Sequence, residues 1–204
     1  MKQSLRQSII AARQKVAAAE RAELSREITL RILNLSSYKD AGTVLGYMSF
    51  GAEFDTATWV QQALQDGKRV LLPKVNCSTR QLELYRIRDL QQDVAPGTWD
   101  IPEPRADRCD RVDAAEQLDF ILLPGVAFAR DGARLGYGGG FYDKLLARID
   151  PQANGQPMQP GRPVLVAAAF AMQLVKDIPQ EATDRKVEWL LTENEAIHCT
   201  AERN

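Results

Sequence analysis

The sequence predicts an α/β fold of three layers, a mostly parallel sheet with helices on both faces. Two observations carry this. Several segments are short, near-continuous apolar runs, among them RVLLPKV (69–75), DFILLPG (119–125) and VLVAAAF (164–170), as expected of strands buried on both faces. Helical patterns alternate with these runs, which is the order of βαβ units. No internal repeat or low-complexity tail interrupts the pattern. Residues 1–204 therefore read as one domain, long enough to bury a sizeable core.

The elements follow in chain order. Residues 2 to about 35 read as helix packed on the sheet. Leu5, Ile9, Ala12 and Val16 recur at spacings of three or four on one face, and Leu24, Ile28 and Leu35 continue in a second helix for which LSRE (24–27) offers a start. TVLGYMSF (43–50) reads as a buried strand. FDTATWVQQALQDG (54–67) reads as a helix with Asp55 or Thr56 as N-cap and Gly67 as its stop. RVLLPKV (69–75) is a strand, and QLELYRI (81–87) alternates like a half-buried one. Residues 88–118 look irregular, with TWDIPEP (98–104) as a rigid extended piece. A strand at 119–125 precedes the helix FYDKLLARI (141–149). DPQANGQPMQPGRP (150–163) is a loop, and VLVAAAF (164–170) and KVEWLLT (186–192) are the last strands.

Composition removes several function classes. The net charge of −1 argues against a dedicated nucleic-acid binder. Cys77, Cys109 and Cys199 are scattered and odd in number, and His198 is the only histidine, so neither a zinc site nor a disulfide framework is expected. This cysteine usage suits a reducing cytosol. The start MKQSLRQSIIAARQK lacks the apolar core of a signal peptide, and no apolar run approaches the ~20 residues of a membrane span. The expectation is a cytoplasmic monomer acting on a small molecule, with neither nucleic acid nor membrane as partner.

The most informative stretch is LLPGVAFARDGARLGYGGGFYDKLL (122–146), in which glycines join an apparent strand to an apparent helix. In open α/β sheets ligands bind beyond the carboxyl ends of the strands. Glycine lets backbone N–H groups approach a ligand, and a glycine loop feeding a helix N-terminus suits an anion. It is not a Walker A loop, because Gly140 is followed by Phe141, nor a GxGxxG fingerprint after the first strand. Glycines alone equally fit a tight strand-to-helix connection. The flanks add more than a turn needs: Arg134 as a cation, Asp143 as a candidate magnesium ligand, and Tyr137, Phe141 and Tyr142 as flat surfaces.

PGVAFARDGARLGYGGGFYDKLL closely resembles the signature of the 5-formyltetrahydrofolate cyclo-ligase family. KQSLR (2–6) is similar to the family's N-terminal basic motif and YMSFGAEFDT (47–56) to its substrate segment. LLPKV (71–75), TWDIPEP (98–104) and DRKVEWLLTE (184–193) fall in the family's order. The resemblance implies an architecture related to sugar-phosphate isomerases and CoA-transferase-like proteins. It implies ATP-dependent conversion of 5-formyltetrahydrofolate, including polyglutamylated forms, to 5,10-methenyltetrahydrofolate, ADP and phosphate, with Mg²⁺. No protein nucleophile is required.

The resemblance also implies roles. Lys2, Arg6, Arg134, Leu135, Gly136, Tyr137, Gly138, Gly139, Gly140, Phe141 and Tyr142 would hold ATP. Arg134 and Asp143 would be catalytic, and Asp143 and Asp184 would hold magnesium, which takes oxygen ligands and needs only one or two carboxylates. Met48, Glu53, Trp99, Tyr137 and Phe141 would line the folate site, with the Glu53 carboxylate accepting from the donor-rich pterin edge. Some members carry basic residues where this chain has Tyr137 and Gly139. Phosphate neutralisation must then lean on Lys2, Arg6, Arg134 and Lys74.

Each role has a plainer alternative. Lys2 and Arg6 read equally as surface charge, and Arg134 as an ion-pair partner of Asp131 or Asp143. Asp143 reads as a helix-start acid, Asp184 as a loop or turn acid, Glu53 as a surface loop acid, and Met48 as core. Two rival functions remain at this stage: an isomerase or CoA-transferase-like enzyme without ATP dependence, and a non-catalytic nucleotide- or folate-binding regulator.

Overall fold

The computed structural model describes residues 2–113, 117–149, 161–181 and 184–199. Among these the α-helices are α1 (Lys2–Gln14), α2 (Ala18–Asn34), α3 (Ser36–Asp40), α4 (Thr56–Gln65), α5 (Leu90–Asp93) and α6 (Phe141–Ile149). The strands are β1 (Thr43–Leu45), β2 (Arg69–Asn76), β3 (Gln81–Ile87), β4 (Val94–Pro96), β5 (Pro102–Pro104), β6 (Arg111–Val112), β7 (Phe120–Leu123), β8 (Ala127–Ala129), β9 (Arg134–Leu135), β10 (Val164–Ala168), β11 (Leu174–Val175), β12 (Trp189–Leu191) and β13 (Ala196–His198).

The main sheet has the order β13-β12-β10-β7-β1-β2-β3-β6. Its five central strands, β12-β10-β7-β1-β2, are all parallel, and antiparallel pairs close both edges. Side-chain alternation explains why the central strands are apolar throughout. Val44, Val70, Phe120, Leu122, Val166 and Leu191 face one core, which holds Ile28 and Ile32 of α2, Tyr38 of α3 and Trp59, Val60 and Ala63 of α4. Their neighbours Leu45, Leu71, Ile121, Leu123, Leu165 and Leu190 face the other core, with Leu145 and Leu146 of α6. The three-layer architecture is therefore set by strand residues that have no polar side to offer.

A smaller sheet, β11-β8-β9, sits beside the main one. It gives α1 its seat, through Ile9 against Val126, Ala127, Ala133 and Leu135. This contact holds the basic face of α1 next to the segment that follows β9.

Five expectations are corrected. LSRE is interior to α2, which starts at Ala18 after an extended Ala17 that makes no side-chain cap. Ser25 is buried instead, and its hydroxyl accepts from the Asp55 N–H at 3.0 Å. The strand expected over 43–50 ends at Leu45, because the chain leaves the sheet where Gly46 crosses Trp59; a Cβ there would lie 2.6 Å from the indole. TWDIPEP is not extended throughout. Thr98–Asp100 is a single 3₁₀ turn with Trp99 and Asp100 at φ 57° and 60°, at the tip of the β4–β5 hairpin. Residues 88–118 are less irregular than expected, since α5, that hairpin and β6 lie within them. The strands expected at 119–125, 164–170 and 186–192 are shorter, at 120–123, 164–168 and 189–191, with Pro124 and Gly125 following β7 outside the ladder, whereas β2 and β3 match the strands expected at 69–75 and 81–87 to within one residue. The α4 prediction holds: Asp55 is the N-cap, accepting from the Ala57 N–H at 3.0 Å, and Gly67 follows at φ 75°. Of the loop expected at 150–163, residues 150–160 lie outside the described residues.

Candidate active site

A cavity of about 1090 Å³ opens at the carboxyl ends of the central strands. Tyr47 and Met48 follow β1, Pro73 and Val75 lie in the second half of β2, and Pro124 follows β7; all of them line it. This is where an open parallel sheet leaves a crevice, because the chain departs in different directions after each strand.

One wall is the glycine loop. β9 ends at Leu135, residues 136–140 form the loop, and α6 begins at Phe141. Gly138 and Gly140 sit at φ 100° and 66°, which a side chain would strain. Gly139 is excluded differently: a Cβ there would stand 2.7 Å from the Phe141 ring. The basic face of α1 lies over the loop. The Arg6 Nε donates to the Gly136 carbonyl at 2.7 Å, with its guanidinium carbon 3.6 Å from where a Gly138 Cβ would be. The Lys2 Nζ reaches Glu181 at 2.9 Å and Asp184 at 3.4 Å, and these acids, Glu181 first, hold the ammonium above its ordinary pKa. Arg134 is nearly buried. Its guanidinium donates to Asp143 at 2.6 Å and to the Pro124 carbonyl at 3.2 Å.

The other wall is built around Glu53, which is only 7% exposed. The Phe50 N–H donates to its Oε2 at 3.1 Å, and the Tyr137 hydroxyl donates to its Oε1. Arg13 donates to the Tyr137 hydroxyl at 2.8 Å and stands 4.0 Å from the same carboxylate. Burial pushes the Glu53 carboxyl above the usual range, against the pull of Tyr137 and Arg13. Burial likewise raises the hydroxyls of Tyr47, Tyr137 and Tyr142, so all three stay protonated. Phe50 packs on Tyr137 with ring centroids 5.2 Å apart. Trp99, 67% exposed at the hairpin tip, meets Phe141 edge-on at 5.9 Å.

The residues singled out in the sequence converge on this one cavity. Lys2, Arg6, Met48, Glu53, Trp99, the whole run Arg134–Asp143 and Asp184 all line it. Lys74 does not; it pairs with Glu103 at 3.2 Å. The ion-pair alternative for Arg134 is realised with Asp143, whereas Asp131 pairs with Lys186. The surface-acid reading of Glu53 fails, because the side chain is buried and each carboxylate oxygen accepts a hydrogen bond. Met48 does both jobs, packing on the core and lining the cavity.

Arg13, Tyr47, Cys77, Arg80 and Glu103 escaped the sequence reading. Arg13 left a signal: it lies eleven residues after Lys2 and seven after Arg6, hence close to the same face of α1. Tyr47 and Glu103 lie within YMSFGAEFDT and TWDIPEP, where the sequence reading singles out Met48, Glu53 and Trp99 instead, and Cys77 and Arg80 reach the site only through tertiary folding.

Comparison with known proteins gives the family. The 5-formyltetrahydrofolate cyclo-ligase family model matches residues 1–193. The 5-formyltetrahydrofolate cyclo-ligase of Escherichia coli (strain K12) is 31% identical over 172 residues, covering 84% of this chain and 89% of the relative. The mouse (Mus musculus) 5-formyltetrahydrofolate cyclo-ligase is 27% identical over 196 residues, covering 95% and 94%. The solved structure of Aquifex aeolicus 5,10-methenyltetrahydrofolate synthetase superposes with a TM-score of 0.81 at 29% identity, covering 100% of this chain and 95% of that one. The Mycoplasma pneumoniae synthetase shares the fold, with a TM-score of 0.69 at 20% identity. With a family match over nearly its whole length and one cavity that gathers the loop, the basic helix and the buried carboxylate, the chain belongs to the 5-formyltetrahydrofolate cyclo-ligase family.

Proposed function

We propose that this chain uses ATP to cyclise 5-formyltetrahydrofolate to 5,10-methenyltetrahydrofolate, releasing ADP and phosphate. One observation carries the reading: a single cavity joins a cation-flanked glycine loop to a buried carboxylate with aromatic neighbours. The first suits phosphates and the second suits a pterin.

The chemical problem is a formyl amide, a poor electrophile whose oxygen is a poor leaving group. Transfer of the γ-phosphoryl group to that oxygen solves both difficulties. N10 then attacks the formyl carbon, the carbon–oxygen bond breaks, phosphate departs with the formyl oxygen, and N10 loses its proton to leave the cyclic amidinium. Such a transfer depends on position and charge neutralisation. The loop N–H groups and the α6 N-terminus hold the phosphates, and Lys2 and Arg6 neutralise them from above. Arg134 is the cation for the phosphoryl group in flight. Its pairing with Asp143 fixes its fork in the resting protein.

Asp143 and Asp184 are oxygen donors that line the cavity, the donor class that magnesium takes, and they would hold it with the remaining positions left to water and phosphate. When bound, the ion would offset charge on the phosphates. Glu53 orients the pterin. Each of its oxygens already accepts one hydrogen bond and keeps a lone pair for the donor edge of the ring. Met48, Trp99, Tyr137 and Phe141 line the path of the rings, and Arg80 and Lys144 on the cavity wall suit an acidic glutamate tail.

No described helix is long and apolar enough to cross a membrane. We read the protein as a cytoplasmic monomer without a nucleic-acid partner. The test is near-ultraviolet absorbance of methenyltetrahydrofolate with purified protein, 5-formyltetrahydrofolate and magnesium, with and without ATP. A rise that requires ATP is expected. A rise without ATP, or folate binding without turnover, would favour the isomerase-like or regulatory alternatives.

A further inference from the structure

We propose that Arg13 is a positioning residue: from the C-terminal end of α1 it holds the Tyr137 hydroxyl and, through it, the Glu53 carboxylate, so that one buried hydrogen-bonded chain ties the glycine loop to the opposite wall of the cavity. The folate part of this role rests on the function proposed above; the geometry does not.

Arg13 is only 3% exposed, although it lies in an amphipathic helix whose other cations reach solvent or the cavity rim. A guanidinium is buried at a high cost unless it is paired. Its partners are Tyr137 at 2.8 Å and Glu53 at 4.0 Å, which belong to two different segments of the site. Tyr137 interrupts a loop otherwise made of glycine. It is the loop's one side chain able to pass a hydrogen bond across to Glu53, and glycine at 136 and 138 would otherwise leave the loop free to move.

The third member has no freedom either, since the Phe50 N–H fixes the second oxygen of Glu53. The ionisable groups facing Glu53 are thus Arg13 from α1, Tyr137 from the loop, Tyr47 after β1 and Tyr142 from α6. Arg13 alone among them carries charge at neutral pH, so it alone favours the ionised carboxylate by charge; Tyr137 favours it as a donor.

The test uses the full chain with Arg13→Met, Arg13→Lys and Tyr137→Phe, each checked for its melting transition. In the unliganded protein, the ¹³C resonance of the Glu53 carboxyl, assigned with Glu53→Gln, is followed against pH. Its midpoint should rise by about one pH unit in Arg13→Met. It should rise in Tyr137→Phe as well and return toward the wild-type value in Arg13→Lys. In turnover, Arg13→Met should raise the folate KM roughly tenfold, raise the ATP KM by less because Arg6 still holds the loop at Gly136, and move the acid limb of kcat/KM upward with the titration.

An unmoved midpoint in a folded Arg13→Met protein, or equal changes in both KM values, would overturn the proposal. Should Arg13→Met not fold, Tyr137→Phe decides alone, because it removes only the bridging hydroxyl. If wild-type protein does not cyclise its substrate, the functional reading fails while the titration still decides the clasp.

Discussion

The glycine-loop wall of the cavity runs through one continuous segment, Arg134 to Asp143, whereas the other wall is assembled from Tyr47 and Glu53 of one segment and Trp99 of another, with Arg13 of α1 behind Glu53. The first wall works largely through backbone groups, so its chemistry is written in the absence of side chains. The second works through buried side chains whose meaning depends on their partners. Backbone sites for anions can be compact in sequence, because consecutive N–H groups converge on one ligand. A site for a flat, donor-edged ring needs a floor, a wall and an acceptor from different directions, which only tertiary structure supplies.

That contrast can be broken or sharpened by substitution. The largest effect is expected at Arg134, the nearly buried cation of the glycine-loop wall. Arg134→Met should lower kcat by about 10³-fold, because a positioned arginine in phosphoryl transfer is worth that much. Arg134→Lys should recover little, since a lysine cannot reproduce the paired contacts to Asp143 and Pro124. Steady-state kinetics on folded variants check this, and a loss under tenfold would remove Arg134 from the transition state.

Next is Glu53→Gln. Losing a charge-assisted acceptor should raise the folate KM by roughly 10- to 100-fold and leave the ATP KM within about twofold. Equal losses for both substrates would merge the two walls into one. The wild-type pH dependence has a definite sign: burial raises the Glu53 carboxyl, so a pterin donating to the carboxylate binds better as pH rises through that raised value. Folate affinity measured across the acid range should fall on the low side, and the fall should vanish in Glu53→Gln.

The loop offers a smaller and opposite selectivity. Gly140→Ala meets no neighbouring atom but forces a side chain onto φ 66°. It should cost about 1 kcal/mol of stability and weaken ATP more than folate. Gly139→Ala, whose Cβ would press on Phe141, should weaken both substrates, because that ring also faces Trp99. Denaturant midpoints and the two KM values separate these cases.

Trp99 shows the converse, an exposed ring held at φ 57°. In Trp99→Gly, relief of about 1 kcal/mol of backbone strain should nearly cancel the entropic cost of glycine, while the folate KM rises several-fold.

The smallest effect concerns the thiols. Cys77 is exposed on the cavity wall, whereas burial pushes Cys199 up to about 11. A thiol reagent near neutral pH should label Cys77 first, more slowly with ligands bound, and leave Cys199 until far more alkaline pH, as mass spectrometry would record.

The same contrast explains what was legible in the sequence. The parallel core could be read because Val44, Phe120 and Val166 face one layer while Leu45, Ile121 and Leu165 face the other, leaving no polar alternation. The loop could be read because its residues are contiguous. The clasp could not: nothing in GAEFD says that Glu53 is buried, and nothing in AARQK says that Arg13 is its partner 40 residues away. Likewise 43–50 reads as a full strand until Trp59, ten residues on from Ser49, is seen to fill the space beside Gly46. TWDIPEP reads as extended because its prolines suggest it, yet the hairpin closes through Trp99 and Asp100 in left-handed conformations.

The most direct measurement of the central claim follows the formyl oxygen. Substrate carrying ¹⁸O in the 5-formyl group is turned over with ATP and magnesium, and the released phosphate is analysed by mass. Recovery of the label in inorganic phosphate, one atom per methenyltetrahydrofolate formed, is the expected result, because the oxygen leaves only after accepting the phosphoryl group. Label appearing in water, with unlabelled phosphate, would contradict it and leave the glycine loop binding a nucleotide that does not activate the substrate.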